Sequence, residues 1–299
     1  MNSVYQTLEW SKVCEKSRGW TSLFVDNLLF FEKEINLPLL GKKKILFAEG
    51  VDIELLKNYD KTKTKNFYDL RFSTFSYDGN VCGFYETNMH TITIDLSKPL
   101  NELWNNLEKK SIRWGIKKAE NEGVLIKDAD SEKELKEFYQ IYLSTCHQGG
   151  LIPEKYEFFS LIQEILVPKN LAKILVAQKD GKIVSGAILL ISPNYTTLNL
   201  TGTSDAGQKS QANVKIYWEI IKFSKQIGRK WFDLGGYDVH AKHREKAYFV
   251  NRFKKRWGGQ ITKRPIYTRN MVYFLALRLA RMFRGLLSLW NRHKLAEAI

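Results

Sequence analysis

Trp231-Phe-Asp-Leu-Gly235-Gly236, followed after a loop by Tyr248-Phe-Val-Asn-Arg252-Phe253-Lys254-Lys255-Arg256-Trp257-Gly258-Gly259, is the stretch from which the rest of the chain is read. Trp231 to Leu234 is a short apolar run broken by one carboxylate and bounded by a glycine pair. That pattern suits a strand that empties into a pocket where backbones approach closely. In the second segment Arg252, Lys254 and Arg256 alternate with Phe253, Lys255 and Trp257, so the period-two reading is a strand with three cations on one face. The competing reading is a solvated strand edge whose charges guard against aggregation.

Working outward, polar and apolar runs alternate without a low-complexity block or a Pro/Gly linker. Strands are predicted at 44–48, 66–72 and 91–95, then a helix from Leu100 to about Gly123. Beyond the polar run Lys127-Asp-Ala-Asp-Ser-Glu-Lys133 come helices over 131–146 and 154–167 and strands over 172–178 and 182–192. Asp180-Gly181 between those strands is a hairpin signal. A third strand over 195–201, a helix over 214–227 and the strand Trp231–Leu234 complete the order. The polar run is the predicted junction between two domains, 1–127 and 128–270, with 271–299 as a tail.

Together WFDLGG…YFVNRFKKRWGG resembles the closing motif of the Fem-type (FemA/FemB/FemX-like) aminoacyltransferases and related FemAB-like acyltransferases, a branch of the GNAT superfamily active in cell-envelope synthesis. Residues 91–124, TITIDLSKPLNELWNNLEKKSIRWGIKKAENEGV, are similar to the family's strand, Leu-Trp helix and basic helix ending at glycine. The resemblance spans about 90–270. It implies an α/β (α+β) fold of two tandem GNAT-like domains, the first degenerate and the second catalytic. Each would have a mixed, mostly antiparallel sheet with flanking helices.

The resemblance also assigns residues. Lys254, the lysine after the motif's phenylalanine, takes the role of the cation that stabilises a tetrahedral oxyanion during acyl transfer to an amine. Gly235, Gly236 and Tyr237, with Arg252, Phe253 and Arg256, become substrate-facing. Asn213, Tyr217 and Trp218 resemble the family's asparagine-aromatic-tryptophan segment and are assigned to the pocket. Gly202 and Ser204 lie in the turn Leu200–Asn213, which either presents backbone amides to a phosphate or carboxylate or is a plain loop. In the basic cluster Lys109, Lys110, Arg113, Lys117 and Lys118, Lys110, Arg113 and Lys117 share a helix face that is either solvated or turned to substrate. No Ser/His/Asp constellation is apparent. His240 and His243 have a spacing suited to metal only if helical, and no third ligand accompanies them.

This chain departs from the pentapeptide-recognising members, in which an arginine precedes a proline. Here Gly150-Leu151-Ile152 precedes Pro153, and Phe158-Phe159 stand near the place of a tyrosine. The acceptor is therefore not fixed as peptidoglycan.

Charge narrows the partners. Residues 222–299 hold 19 Lys/Arg and 4 Asp/Glu, whereas 1–221 hold 28 of each, so all of the formal +15 lies in the last quarter. A polyanion is implied: nucleic acid, an anionic membrane surface, or a phosphorylated substrate or carrier. The glutamine/arginine-glycine loop typical of acyl-CoA binding is absent, which makes aminoacyl-tRNA the first choice of donor and acyl-CoA or an acyl carrier the alternative. No tightly bound cofactor is implied. At 299 residues and 44% hydrophobic the chain can bury a sizeable core. Cys14, Cys82 and Cys146 form neither a disulfide framework nor a zinc motif, and the first residues lack a secretory pattern, so a cytoplasmic location is expected.

Residues 271–290 are apolar apart from Arg278, Arg281 and Arg284, a pattern suited to a helix lying in an anionic headgroup layer or packed on the protein itself. The expected function is transfer of an aminoacyl group from tRNA to an amine of a lipid- or nucleotide-linked envelope precursor at the inner membrane face. Two alternatives stay open: N-acylation of an amino sugar in a surface polysaccharide, and a non-enzymatic module that binds RNA or anionic lipid at the membrane.

Overall fold

The computed structural model describes residues 3–275 apart from 38–40, 58–60, 76–80 and 244. In chain order these form α1 (Leu8–Arg18), β1 (Thr21–Val25), β2 (Leu28–Leu37), β3 (Gly41–Ala48), α2 (Ile53–Lys57), β4 (Asp69–Ser73) and β5 (Tyr85–Asp95). Then come α3 (Leu100–Asn106), a π-helical segment (Lys109–Arg113), α4 (Trp114–Asn121), β6 (Leu125–Asp128), α5 (Glu132–Gly149) and α6 (Tyr156–Leu161). The series closes with β7 (Ala172–Lys179), β8 (Lys182–Ile191), β9 (Tyr195–Thr203), α7 (Asp205–Lys209), α8 (Ala212–Gln226), β10 (Trp231–Tyr237), α9 (Lys246–Lys255) and β11 (Gln260–Thr268). The sequence-predicted hairpin is present: Asp180 and Gly181 take φ of 50° and 76°, the left-handed pair that a tight two-residue turn requires.

Two compact units result. Among the described residues, one holds 90–262 and the other 3–89 with 263–275. The division therefore falls inside β5 and β11 and not at Lys127–Lys133. β6 belongs with the residues after it, because it pairs with β7 from Leu125↔Gln178 to Asp128↔Leu175. α4 belongs with them too, because Gly115 brings it so close to α8 that an added Cβ would meet Gln211 Oε1 at 3.0 Å.

In the 90–262 unit the strand order is β5-β10-β9-β8-β7-β6. β10 is parallel to β9 and antiparallel to β5, and the β6–β7, β7–β8 and β8–β9 pairs are antiparallel. In the other unit the order is β1-β2-β3-β4-β11, with β3 parallel to β4 and the remaining pairs antiparallel. The sense of pairing along β7-β8-β9-β10-β5 is thus repeated along β1-β2-β3-β4-β11. The closing strand is exchanged in each case: β5 follows β4 in the chain but pairs with β10, and β11 follows β10 but pairs with β4.

The core of the 90–262 unit is the layer between the sheet and α3, α4 and α8, with Ile92, Ile116, Ala187, Leu189, Ile220, Phe232 and Trp257 at or near zero exposure. On the β8–β9 surface near α5, glycines allow close packing. A Cβ on Gly186 would overlap the Phe138 ring at 2.3 Å, and one on Gly202 would lie 2.7 Å from Tyr142 Cα. No helix among the described residues is long and apolar enough to cross a membrane. Of the sequence-predicted tail, residues 271–275 are helical and residues 276–299 lie outside the described residues.

The largest correction concerns 248–257, read as a cationic strand and found within or just after α9. The alternation of charged and aromatic residues coexists with a helical spacing, and the helical one decides, because Phe253 and Trp257 one turn apart both pack on Tyr217. Gly258, at φ 72°, ends the turn before β11.

Candidate active site

The strand that carries the glycine pair does not run straight. β10 pairs with β5 from Trp231↔Asp95 to Asp233↔Thr93 and resumes at Gly236↔Thr91, with a register shift between. Gly235, at φ 79°, occupies that bulge, where a side chain is disfavoured by conformation; the space itself would admit a Cβ. The buried Asp233 side chain holds the bend. Its Oδ1 accepts the Gly235 amide at 2.7 Å and the Thr91 hydroxyl, and that hydroxyl lies 2.9 Å from the Gly235 carbonyl. On its other side β10 pairs with β9 only from Trp231↔Tyr195 to Asp233↔Thr197. Beyond that point β9 stays with β8 and β10 with β5, and the parallel ladder ends where the bulge begins.

Lys254 reaches this bulge from α9. Its Nζ donates to the Gly236 carbonyl at 2.7 Å and lies 3.6 Å from where a Gly235 Cβ would stand. The helix explains why this cation alone of the three arrives there. Arg252 and Arg256, one turn apart, share a face, and Lys254 projects from the opposite side. Lys254 is half-buried as a residue. Burial pushes its pKa down to about 8, opposed by the charge of Asp233. At pH 7 it is still mainly an ammonium, by about ten to one, with further N–H groups to offer.

An aromatic wall stands beside it. Tyr217 on α8 meets Phe253 at 5.7 Å and Trp257 at 5.5 Å between ring centroids. Tyr217 is buried and bonded to the Thr201 side chain; desolvation pushes its pKa up to about 12, so it stays a neutral hydroxyl. Asn213, partly buried, lies one turn before it in α8.

The remaining sequence-assigned residues divide. Trp218 turns away to stack edge-on with Trp104 at 5.2 Å, a packing contact. Gly202 is the close contact with α5 described above, and Ser204 caps the short α7, accepting from Gly207 N at 3.2 Å and donating to Val184 O at 2.9 Å. Arg256 pairs through Nε with Glu108 Oε2 at 3.1 Å, and with Asn106, Glu108, Arg252 and Lys255 it lines an open cleft of about 330 Å³. Lys255 also sits over the Tyr237 ring at 5.4 Å. Arg113 is partly buried at the end of the π-helical segment, and Lys117 is exposed. His240 and His243 lie in a non-helical loop, with the His243 ring 4.9 Å from Tyr248. Among the described residues no group of three or more His, Cys, Asp or Glu is placed to hold a metal ion.

Two residues that the sequence reading passed over complete the arrangement. Thr91 joins Asp233 across 142 positions of sequence. Asn251, buried on α9, donates to Asp238 O at 2.6 Å and accepts from Asp238 N at 3.2 Å, which fixes the loop leaving β10 to the helix that bears Lys254.

With this geometry in hand, comparison with known proteins is specific. Residues 108–255 match the family described as Acetyltransferase (GNAT) domain. The chain is 24% identical over 177 residues to the UDP-N-acetylmuramoylpentapeptide-lysine N(6)-alanyltransferase of Weissella viridescens, covering 58% of this chain and 52% of that protein. It is 23% identical over 95 residues to the lipid II:glycine glycyltransferase of Staphylococcus haemolyticus (strain JCSC1435), covering 32% of this chain and 23% of that one. The chain thus matches about half the length of the first of these relatives and less of the second. In fold it is similar to the crystal structure of FemX, with a TM-score of 0.69, 13% identity and 93% of each chain covered. Residues 108–255 thus carry a GNAT domain, and the chain is similar to Fem-type aminoacyltransferases in sequence and to FemX in fold.

Proposed function

We propose that this protein transfers an aminoacyl group from aminoacyl-tRNA to an amine of a lipid- or nucleotide-linked precursor of the cell envelope. The observation that carries the reading is the Lys254 ammonium, held 2.7 Å from the Gly236 carbonyl beside the β10 bulge where the parallel ladder stops. In aminolysis of an ester the amine nitrogen bonds to the carbonyl carbon, the carbonyl oxygen gathers negative charge, the ester C–O bond breaks and the amine proton ends on the departing hydroxyl. A fixed ammonium in a partly desolvated site stabilises the middle of that sequence. With a pKa about 8 it is also suited to exchange a proton near neutral pH.

The acceptor class is supported by the names of the relatives, one acting on a nucleotide-linked pentapeptide and the other on lipid II. The donor is supported by the 14 Lys/Arg against 3 Asp/Glu in residues 222–270. Peripheral attachment to the inner membrane face through 271–290 is part of the proposal. So is the two-copy architecture, which the repeated pairing sense of the two units supports. The description of the matched family as acetyltransferase favours a second reading, N-acylation of an amino sugar from acyl-CoA or an acyl carrier. Mass spectrometry of envelope precursors from cells with and without the protein tests the first. A precursor heavier by one aminoacyl residue only when the protein is present is expected; an unchanged precursor pool removes the reading.

A further inference from the structure

We propose that the outer face of α9 and the loop leaving α5 form a docking lip for an anionic lipid surface, separate from the C-terminal tail. Four large apolar side chains stand in water at this place: Leu151 is 64% exposed, Ile152 63%, Phe249 55% and Val250 49%. Lys246 brings the two stretches together, since its Nζ donates to the Gln148 carbonyl at 2.5 Å, and Phe249 and Val250 follow one turn later on the same face of α9. Leu151 is fixed at the end of α5 by the hydrogen bond its backbone N–H donates to the Cys146 carbonyl at 2.9 Å. The lip is therefore a formed surface, not a chance scatter of side chains.

Its charge chooses the occupant. Apart from Lys254, whose ammonium is held at Gly236, α9 carries Lys246, Arg252 and Lys255 and no acid, and exposed Lys242 and Lys155 lie in the neighbouring loops. Of the acids nearby, Glu245 accepts the Lys242 amide at 3.0 Å within its own loop, Glu154 is half-buried and Glu157 is exposed on α6. Exposed aromatic and aliphatic side chains beside a run of cations are what an anionic headgroup layer accommodates, the apolar groups entering the acyl boundary and the cations remaining among the headgroups. RNA would use the cations and leave the four apolar side chains unexplained. The apolar stripe continues along α9 from Phe249 and Val250 to Phe253 and Trp257 beside Tyr217. Docking here would bring a lipid-linked amine to the helix that bears Lys254; that consequence rests on the proposed function, but the docking does not.

The test uses the full chain in a Cys82→Ser background, because Cys14 and Cys146 are buried and Cys82 is exposed. An environment-sensitive fluorophore is placed by Ile152→Cys, by Val250→Cys, or by Leu125→Cys, the last a control on the edge strand β6 and 63% exposed. Vesicles of phosphatidylglycerol and phosphatidylcholine are added, with pure phosphatidylcholine and tRNA as separate arms. Blue-shifted emission at 152 and 250 but not at 125, only with phosphatidylglycerol, is expected. In the same assay Phe249→Asp with Val250→Asp should weaken the shift at 152 by about tenfold in lipid affinity. Emission unchanged at 152 and 250, an equal shift at 125, or a shift produced by tRNA and not by vesicles overturns the proposal. Because no turnover is measured, its failure leaves the transfer reading untouched, and a failed transfer assay leaves docking untouched.

Discussion

Lys254 joins three features on one side chain: a hydrogen bond to the Gly236 carbonyl, a pKa lowered by burial to about 8 and the field of Asp233. If its ammonium stabilises the oxyanion, Lys254→Met should reduce the transfer rate on the order of a hundredfold or more while the protein remains folded. Lys255→Met, which loses an exposed contact over Tyr237, is the comparison and should change the rate little. Equal small effects in single-turnover assays would remove the role from Lys254. The sign of the pH effect follows from the same environment. A cation with a pKa about 8 is lost as pH rises through that value, so the rate limb assigned to Lys254 should fall above about pH 8. Asp233 raises that pKa, and Asp233→Asn should move the falling limb to lower pH. A limb that stays in place means Asp233 serves only the bend of β10. Lys254 and the glycine pair were legible from their neighbours in the motif. Thr91 was not, because its hydroxyl meets Asp233 only after β5 and β10 pair, and no local pattern encodes a contact over that separation.

At the scale of elements, most of the 90–262 unit was legible because its hydrophobic periods are clear. The α5 helix begins where Ser131 caps the Glu134 amide, and the β7–β8 hairpin turns at Asp180-Gly181. α9 was misread because six residues satisfy a period of two as well as a helical spacing, and what decides between them is the aromatic contact with α8. The change of element redistributes the charges: Arg252 and Arg256 go to the cleft with Glu108, and Lys254 goes to β10. Gly202 shows the converse. Read as part of a ligand-binding turn, it is the point at which β9 admits the backbone of α5. Gly202→Ala should therefore lower stability by about 1–3 kcal/mol through forced separation of helix and strand, measured as the shift in the denaturant midpoint. Unaltered stability with impaired substrate binding would return Gly202 to the turn's function.

For the whole molecule, what the sequence did not reveal is the exchange of closing strands. A period-two pattern identifies a strand but not its neighbour, so the strand at 91–95 is expected within 1–127, while residues 260–268, for which no strand is predicted, fall within 128–270. A fragment of residues 128–270 lacks β5 and the α4 core residues Ile116 and Ala119. It should show no cooperative thermal transition by circular dichroism; a sharp transition like that of the full chain would contradict the exchanged pairing. In the other unit Asp69 accepts the Asn270 amide at 2.8 Å, and burial raises its pKa to about 6 despite Arg269. A raised carboxylate pKa contributes stability that is present below about pH 4 and is lost as pH rises through about 6, on the order of 2 kcal/mol. Asp69→Asn should gain on the wild type in denaturation midpoint between pH 4 and pH 7, and a gap constant over that range would exclude this cause.

The central claim, that the chain moves an aminoacyl group from tRNA to an amine, is tested most directly by a reconstituted reaction. Purified protein, charged tRNA and an amine-bearing lipid-linked acceptor are combined with and without ribonuclease, and the acceptor mass is read. The expected result is one added aminoacyl residue, abolished by ribonuclease and by Lys254→Met, with tRNA binding falling by about one log unit per log unit of salt for each phosphate neutralised. Transfer that survives ribonuclease and follows added acyl-CoA or acyl carrier protein would contradict it.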